Sequence, residues 1–202
     1  HHAPGQLHRF LNSVGGYTKS VNTYSFAAAE VIVPHVIGHF RDYVYNQTSW
    51  VSVRDHCQLF VAFGGVALKN GQIGQGGLGR HIQKESILEA HKNGVEFISI
   101  SPLRADMIDD VDAEWLSIRP NSDAALMIGL CHVLLDEGLY DRAFLDRYCV
   151  GFDQFADYLT GASDAVVKDA AWAGNICAMD AEAIKALARR MAKSRTMLSF
   201  SW

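Results

Sequence analysis

Several of the features that assign a sequence at sight are missing from these 202 residues. There are only four cysteines, Cys57, Cys131, Cys149 and Cys177. They lie far apart, without the C-x-x-C spacing that zinc sites, iron–sulfur clusters and thioredoxin-like centres require. The expectation is four reduced thiols, mostly buried. The G-x-S-x-G nucleophile elbow is absent. His35 and His39 stand at i and i+4 but lack the intervening Glu of a zinc-protease motif, so they read as packing groups. There is no excess of basic charge: 18 Lys and Arg against 22 Asp and Glu leave a net charge of −4, which argues against nucleic acid as the main partner. No apolar run approaches the roughly 18 residues of a membrane span, so none is expected. What remains is a chain with 49% apolar and 20% charged residues, enough to bury a core in one large domain or slightly more. The chain opens on His1-His2 without an initiator Met and stops at Trp202 behind an apolar run. That reads as an internal piece of a longer protein, with His1-His2 as a tag remnant being the alternative.

The patterning changes along the chain. Gln6 to Val14 has helical spacing and ends on Gly15-Gly16, a pair suited to the left-handed conformation that closes helices. Phe26 to Val33, with three alanines and Glu30, predicts a second helix with Ser25 at or beside its N-cap, and Pro34 should kink or end it. Leu59–Phe63 closing on Gly64-Gly65, Val95–Ile100 closing on Ser101-Pro102, and Trp115–Ile118 closing on Arg119-Pro120 read as buried strands. A helix with one apolar face fits His81–Lys92 between the first two. A long helix, Ala124–Leu135, follows with Ser122-Asp123 as cap and first turn. Shorter helices follow at Arg142–Tyr148, Phe152–Leu159, Ala170–Cys177 and Ala181–Lys193, the last capped by Asp180, and Thr196–Phe200 is a fourth strand. Strand, helix, strand, short crossover and strand is the order of a parallel sheet. The expected fold class is therefore α/β, a parallel Rossmann-like sheet with flanking helices, plus an N-terminal helical segment belonging to a neighbouring domain.

Open parallel sheets bind ligands beyond the carboxyl ends of their strands. That rule selects Gly64–Asn70, Ile100–Arg104, Arg119–Asp123 and Ser201-Trp202. The first offers glycines for close backbone approach to a phosphate, then Lys69 and Asn70 as donors. Ser101, a small polar residue at a strand end, stands where a ribose would be contacted. Asp123 offers a carboxylate that can accept the paired N–H groups of a guanine edge. Each has a plainer reading: a turn at Gly64-Gly65, which is not G-x-G-x-x-G, a solvated Lys69, and a helix-end charge at Asp123. Together they describe a nucleotide site. Ser25 by itself is no more than a helix cap.

Three ordered segments nevertheless resemble one family. Asn22-Thr23-Tyr24-Ser25-Phe26-Ala27-Ala28-Ala29-Glu30-Val31-Ile32-Val33-Pro34-His35-Val36 is similar to the stretch around the molybdenum-ligating serine of the dimethyl sulfoxide reductase family of molybdopterin enzymes, in its biotin sulfoxide and trimethylamine N-oxide reductase branch. Ile100-Ser101-Pro102-Leu103-Arg104 resembles that family's I-[DN]-P-x-R signature, and Ile118–Leu126 its R-P-x-[ST]-D-x-A-L signature. The resemblance runs from about residue 6 to Trp202. It implies that Ser25 is the metal ligand and the catalytic residue. It further implies that Lys69, Asn70, Ile100, Ser101, Asn121, Ser122, Asp123 and Trp202 contact one molybdopterin guanine dinucleotide of a bis(molybdopterin guanine dinucleotide) molybdenum cofactor. Ser101 replaces the commoner Asp or Asn, which weakens the ribose contact, and Asn121-Ser122 replaces a Gly-Thr type pair. The implied organisation is an N-terminal segment, 1–50, carrying the serine, and an incomplete dinucleotide-binding domain, 51–202. The implied activity is oxygen-atom transfer from an S-oxide or N-oxide, with an electron donor as partner and no turnover by this segment alone. Two alternatives stand beside it: a relative of formate-dehydrogenase-like chemistry, which would place Cys or selenocysteine where Ser25 stands, and a non-catalytic structural subunit. The expected compartment is the periplasm, reached through a twin-arginine signal, although the biotin sulfoxide branch is cytoplasmic.

Overall fold

The computed structural model describes residues 2–19, 26–71 and 81–200. Ser25 and Trp202 therefore lie outside the described residues. The chain forms two compact units, His1–Gln47 and Thr48–Trp202.

The first unit holds helices α1 (His2–Ser13), α2 (Ala27–Val36) and α3 (Phe40–Tyr45). Gly15 and Gly16 take positive φ after α1, and the Gly16 N–H donates to the Leu11 carbonyl at 2.9 Å, as their sequence predicts. Helix α2 continues two residues past Pro34. A proline lacks only its own N–H, and this helix ends before the loss spreads beyond a single turn. Phe26 and Phe40 stack at 5.5 Å. Helices α2 and α3 bury no side chain.

In the second unit, α4 (Trp50–His56) leads into β1 (Leu59–Phe63), α5 (Leu68–Gly71), α6 (Gln83–Lys92) and β2 (Glu96–Ile100). Two 3-10 turns, Arg104–Asp106 and Asp109–Val111, precede β3 (Glu114–Leu116). The remaining elements are α7 (Asp123–Asp136), α8 (Arg142–Tyr148), α9 (Phe152–Thr160), α10 (Ala170–Cys177), α11 (Ala181–Lys193) and β4 (Thr196–Phe200). The sheet order is β3-β2-β1-β4. Every pairing is parallel, with Leu59 opposite both Glu96 and Thr196, and Ile98 opposite Glu114. The fold class is the α/β parallel sheet that the sequence predicts. The third strand is shorter than expected, because the chain leaves β2 after Leu116 and turns toward α10. There the Arg119 N–H donates to the Cys177 carbonyl at 2.9 Å and the guanidinium to the Ile176 carbonyl at the same distance.

Alternation along β1 fills two cores. Leu59, Val61 and Phe63 pack with Ile98, Ile100, Leu126, Leu130 and Ile184 beneath α7, α10 and α11. Phe60 and Ala62 pack with Phe97, Ile87, Val53 and Val111 beneath α4 and α6. The central strand is thus covered on both faces and reads as a continuous apolar run, each large side chain contributing about 1.5–3 kcal/mol of burial. Helices α7 and α10 approach closely because Gly129 has no Cβ; one built there would stand 2.5 Å from the Ala173 Cβ. At the opposite end of the sheet from the carboxyl edge, Arg190 of α11 pairs with both Glu96 and Glu114, tying the starts of β2 and β3 to the last helix. Asp180 caps that helix, accepting from the N–H groups of Glu182 and Ala183 at 2.7 and 3.2 Å.

The thiols are less uniform than expected. Cys177 is buried, Cys57 and Cys131 are half-buried, and Cys149 at the end of α8 is exposed, since that short helix buries no residue. Burial pushes the thiols of Cys57, Cys131 and Cys177 up. A thiol-reactive reagent should therefore modify Cys149 promptly and Cys177 only on unfolding. A raised folded-state pKa favours the native state fully below the ordinary thiol value of about 8.5 and progressively less as pH rises through the folded value. Native-state labelling followed by peptide mapping checks this; rapid modification of Cys177 in folded protein would contradict it.

Candidate functional site

Because all four strands run the same way, the segments that follow β1, β2 and β3 leave from one edge of the sheet. The structure brings Lys69, Asn70, Ser101, Asn121, Ser122 and Asp123 to that edge. Topology marks it further: β1 is flanked by β2 on one side and by β4 on the other, so the chain reverses its direction of winding beside β1, which is where open sheets leave a crevice.

The loop after β1 is held in place by backbone bonds. Gly64 and Gly65 both adopt positive φ, 84° and 72°. The Gly64 N–H donates to the Ile100 carbonyl at 2.8 Å, and the Val66 N–H donates to the Asp106 carbonyl at 2.7 Å. A Cβ on Gly65 would lie 2.4 Å from that same carbonyl oxygen, so only glycine lets the two loops meet. From the other side the buried Gln83 side chain donates to the Val66 carbonyl at 3.3 Å. Lys69 and Asn70 follow on the short helix α5, both exposed.

At the end of β2, Ile100 is fully buried; its side chain belongs to the core, and it serves the edge through its backbone. Ser101 is buried too, and its hydroxyl donates to Asp106 Oδ2 at 2.5 Å while accepting the Leu103 N–H at 3.2 Å. The Trp115 indole N–H donates to the Ser101 carbonyl at 2.9 Å. After β3, Asn121 takes the left-handed conformation at φ 62°. Ser122 occupies the cap position of α7, but its hydroxyl donates to the Arg119 carbonyl at 2.6 Å and does not accept from the helix. The expected Ser122 cap is therefore a loop fastener. Asp123 begins the helix, half-buried.

A groove of about 470 Å³ lies between the β1 and β2 loops, lined by Lys69, Leu68, Leu103, Asp106, Asp109 and Asp110 among others. Its wall is rich in carboxylates, of which Asp110 pairs with Lys84 at 3.3 Å. Sequence reasoning missed Asp106 and Gln83. Both act through contacts with distant loops, and neither stands in a motif, so no signal in the sequence marks them. No group of three or more His, Cys, Asp or Glu side chains placed to hold a metal ion occurs among the described residues.

The molybdopterin oxidoreductase family model matches residues 2–199. The chain belongs to this family. It is 41% identical over 202 residues, all of this chain, to the biotin sulfoxide reductase of Cereibacter sphaeroides, covering 27% of that protein. It is 39% identical over 99% of its length to the dimethyl sulfoxide/trimethylamine N-oxide reductase of the same organism, covering 25% of it. To the trimethylamine-N-oxide reductase of Salmonella typhi it is 38% identical over its full length, covering 24% of that enzyme. The chain thus spans about a quarter of the length of these curated relatives. Among solved structures, the acetylene hydratase of Pelobacter acetylenicus matches with a TM-score of 0.55 and 23% identity over 74% of this chain and 18% of that one, a likeness of fold. Membership of the molybdopterin oxidoreductase family implies molybdenum and a molybdopterin cofactor. The residues at the carboxyl edge fit such a group. A glycine turn that a Cβ would obstruct, a lysine beside it and carboxylates facing a groove supply close backbone approach, a cation for phosphate, and acceptors for hydroxyl and N–H donors.

Proposed function

We propose that this chain is a cofactor-binding portion of a molybdenum oxidoreductase that reduces S-oxides or N-oxides, and that the cofactor is held in its guanine dinucleotide form. The observation that carries the reading is the similarity, at 38–41% identity over 99–100% of this chain and about a quarter of each relative, to three enzymes named for sulfoxide or N-oxide reduction. The convergence of Lys69, Ser101 and Asp123 on one sheet edge supports the nucleotide part. In this reading residues 1–50 carry Ser25 and residues 51–202 form the dinucleotide-binding domain.

When bound, the molybdenum cofactor supplies the two-electron chemistry by which an oxide loses its oxygen atom. The chain's own part is to bind and orient. Ser25 gives its side-chain oxygen to the metal. Lys69 sets a positive charge against phosphate beside the Gly64-Gly65 turn, where the backbone can come close. Asp123 accepts the paired N–H groups of guanine. The bonds from Arg119 to α10 and from Ser122 to Arg119 fix the loop from which Asp123 starts α7. Trp202 and Asn70 complete the contacts to the same dinucleotide.

The test uses full-length protein under anaerobic conditions with a reduced viologen dye. Dye oxidation should depend on an added biotin, methionine or dimethyl sulfoxide, or on trimethylamine N-oxide. Reduction of the oxidised dye by formate, with no response to any oxide, would support the formate-dehydrogenase-like alternative and overturn the proposal.

A further inference from the structure

The end of β2 offers two polar side chains working as one. In dinucleotide-binding βαβ units, an acidic side chain near the end of the second strand takes the ribose hydroxyls. Here that position is Ser101, whose hydroxyl is buried and already committed to Asp106 and to the Leu103 N–H. The carboxylate arrives from five residues downstream: the Arg104–Asp106 turn brings the chain back, so that Asp106 stands beside the strand end it has left. Its backbone carbonyl meanwhile accepts from Val66 and presses against Gly65. One residue thus fastens the β1 loop to the β2 loop and presents a carboxylate to the groove that also holds Lys69.

We infer that Asp106, oriented by the Ser101 hydroxyl, is the carboxylate that binds the ribose hydroxyls of the guanine nucleotide. The inference rests on the reading of this edge as a guanine dinucleotide site, and it restores the ribose contact that Ser101 alone cannot make. Two arguments beyond position support it. A carboxylate accepts up to about four hydrogen bonds, and Ser101 uses one, leaving capacity for a diol. The charge of the groove points the same way: carboxylates on its wall attract hydroxyl donors and repel phosphate, which belongs on the side of Lys69 and the glycine turn.

The test compares GDP with 2′,3′-dideoxy-GDP, titrated calorimetrically into full-length protein freed of its cofactor. GDP should bind about tenfold more tightly, the worth of a charged hydrogen bond. In Asp106→Asn that preference should fall to within about twofold while dideoxy-GDP affinity stays unchanged, a separation that a merely structural role for Asp106 would not give. Ser101→Ala should reduce the preference, and Asp109→Asn should leave it intact. Equal binding of the two nucleotides by the wild-type protein overturns the ribose assignment and leaves the guanine site standing, whatever the variants do. A preference that survives Asp106→Asn, or is lost in Asp109→Asn, also overturns it. Binding of neither nucleotide by the wild-type protein removes the dinucleotide reading itself, and the inference with it.

Discussion

Replacing Ser25 by alanine in the full-length protein should lower oxygen-atom transfer more than about a hundredfold while molybdenum and guanine nucleotide contents stay near wild type. In the proposed function Ser25 supplies a side-chain oxygen bonded to the metal. Even groups that merely orient a metal ligand cost about 10–100-fold when removed, and the ligand itself should cost more. The fold should barely respond. The N-cap position of α2 belongs to Phe26, and even a lost helix cap costs only about 1 kcal/mol, too little to unfold a domain of ordinary stability. Cofactor retention should not suffer either, because in the proposed function Lys69 and Asp123 hold phosphate and guanine. Ser25→Cys sharpens the test: a thiolate still ligates but is softer, so the metal's spectroscopic signature should change rather than vanish. An unaltered signal with full activity in Ser25→Ala would remove Ser25 from the metal; the sequence offers it at or beside the N-cap of α2, and the structure gives that position to Phe26.

Asp123→Asn should act on the opposite quantity, weakening cofactor retention by about 10–100-fold with little change in turnover per bound molybdenum. A carboxylate accepts two parallel N–H bonds. An amide accepts with one atom and turns a donor toward the other N–H, so one bond is lost and one repulsive pairing created, at about 1–3 kcal/mol. The backbone at the start of α7 is fixed for this: Asn121 turns the chain at positive φ, and Ser122 fastens it to Arg119, which is bonded in turn to α10. If Asp123 were only a favourable charge at the start of α7, the cost would appear as about 0.3–1 kcal/mol of stability with cofactor content unchanged. Thermal melting and cofactor content together separate the two.

The contrast between these residues shows what a sequence can carry. Strands β1 and β2 are legible because each is a short apolar run bounded by Gly, Pro or a polar residue, and burial on both faces demands that pattern; β4, at the edge of the sheet and only partly buried, is legible from its apolar run alone. Helix α11 is legible because Asp180 and its apolar stripe agree. Helices α3 and α4 are not, although Ser49 caps α4 by accepting from Ser52 at 3.2 Å. At six and seven residues they are rich in aromatic and β-branched residues of lower helix propensity, whereas the equally short α8 carries Arg, Ala and Leu. The candidate site divides in the same way. Lys69, Ser101 and Asp123 follow from topology, since strand ends can be counted. Asp106 and Gln83 do not, because their importance lies in bonds to Ser101 and Val66 that exist only once the loops are folded together. The roles of Ser25 and Trp202 rest on resemblance, since both lie outside the described residues.

In the proposed function the carboxyl sheet edge holds a molybdenum cofactor in guanine dinucleotide form. Molybdenum and acid-released GMP, quantified on the same sample of full-length protein, decide whether it does. Two GMP per molybdenum are predicted for the wild-type protein, and a lower cofactor content for Asp123→Asn. Molybdenum without GMP, or neither in a protein that reduces S- or N-oxides, would contradict it.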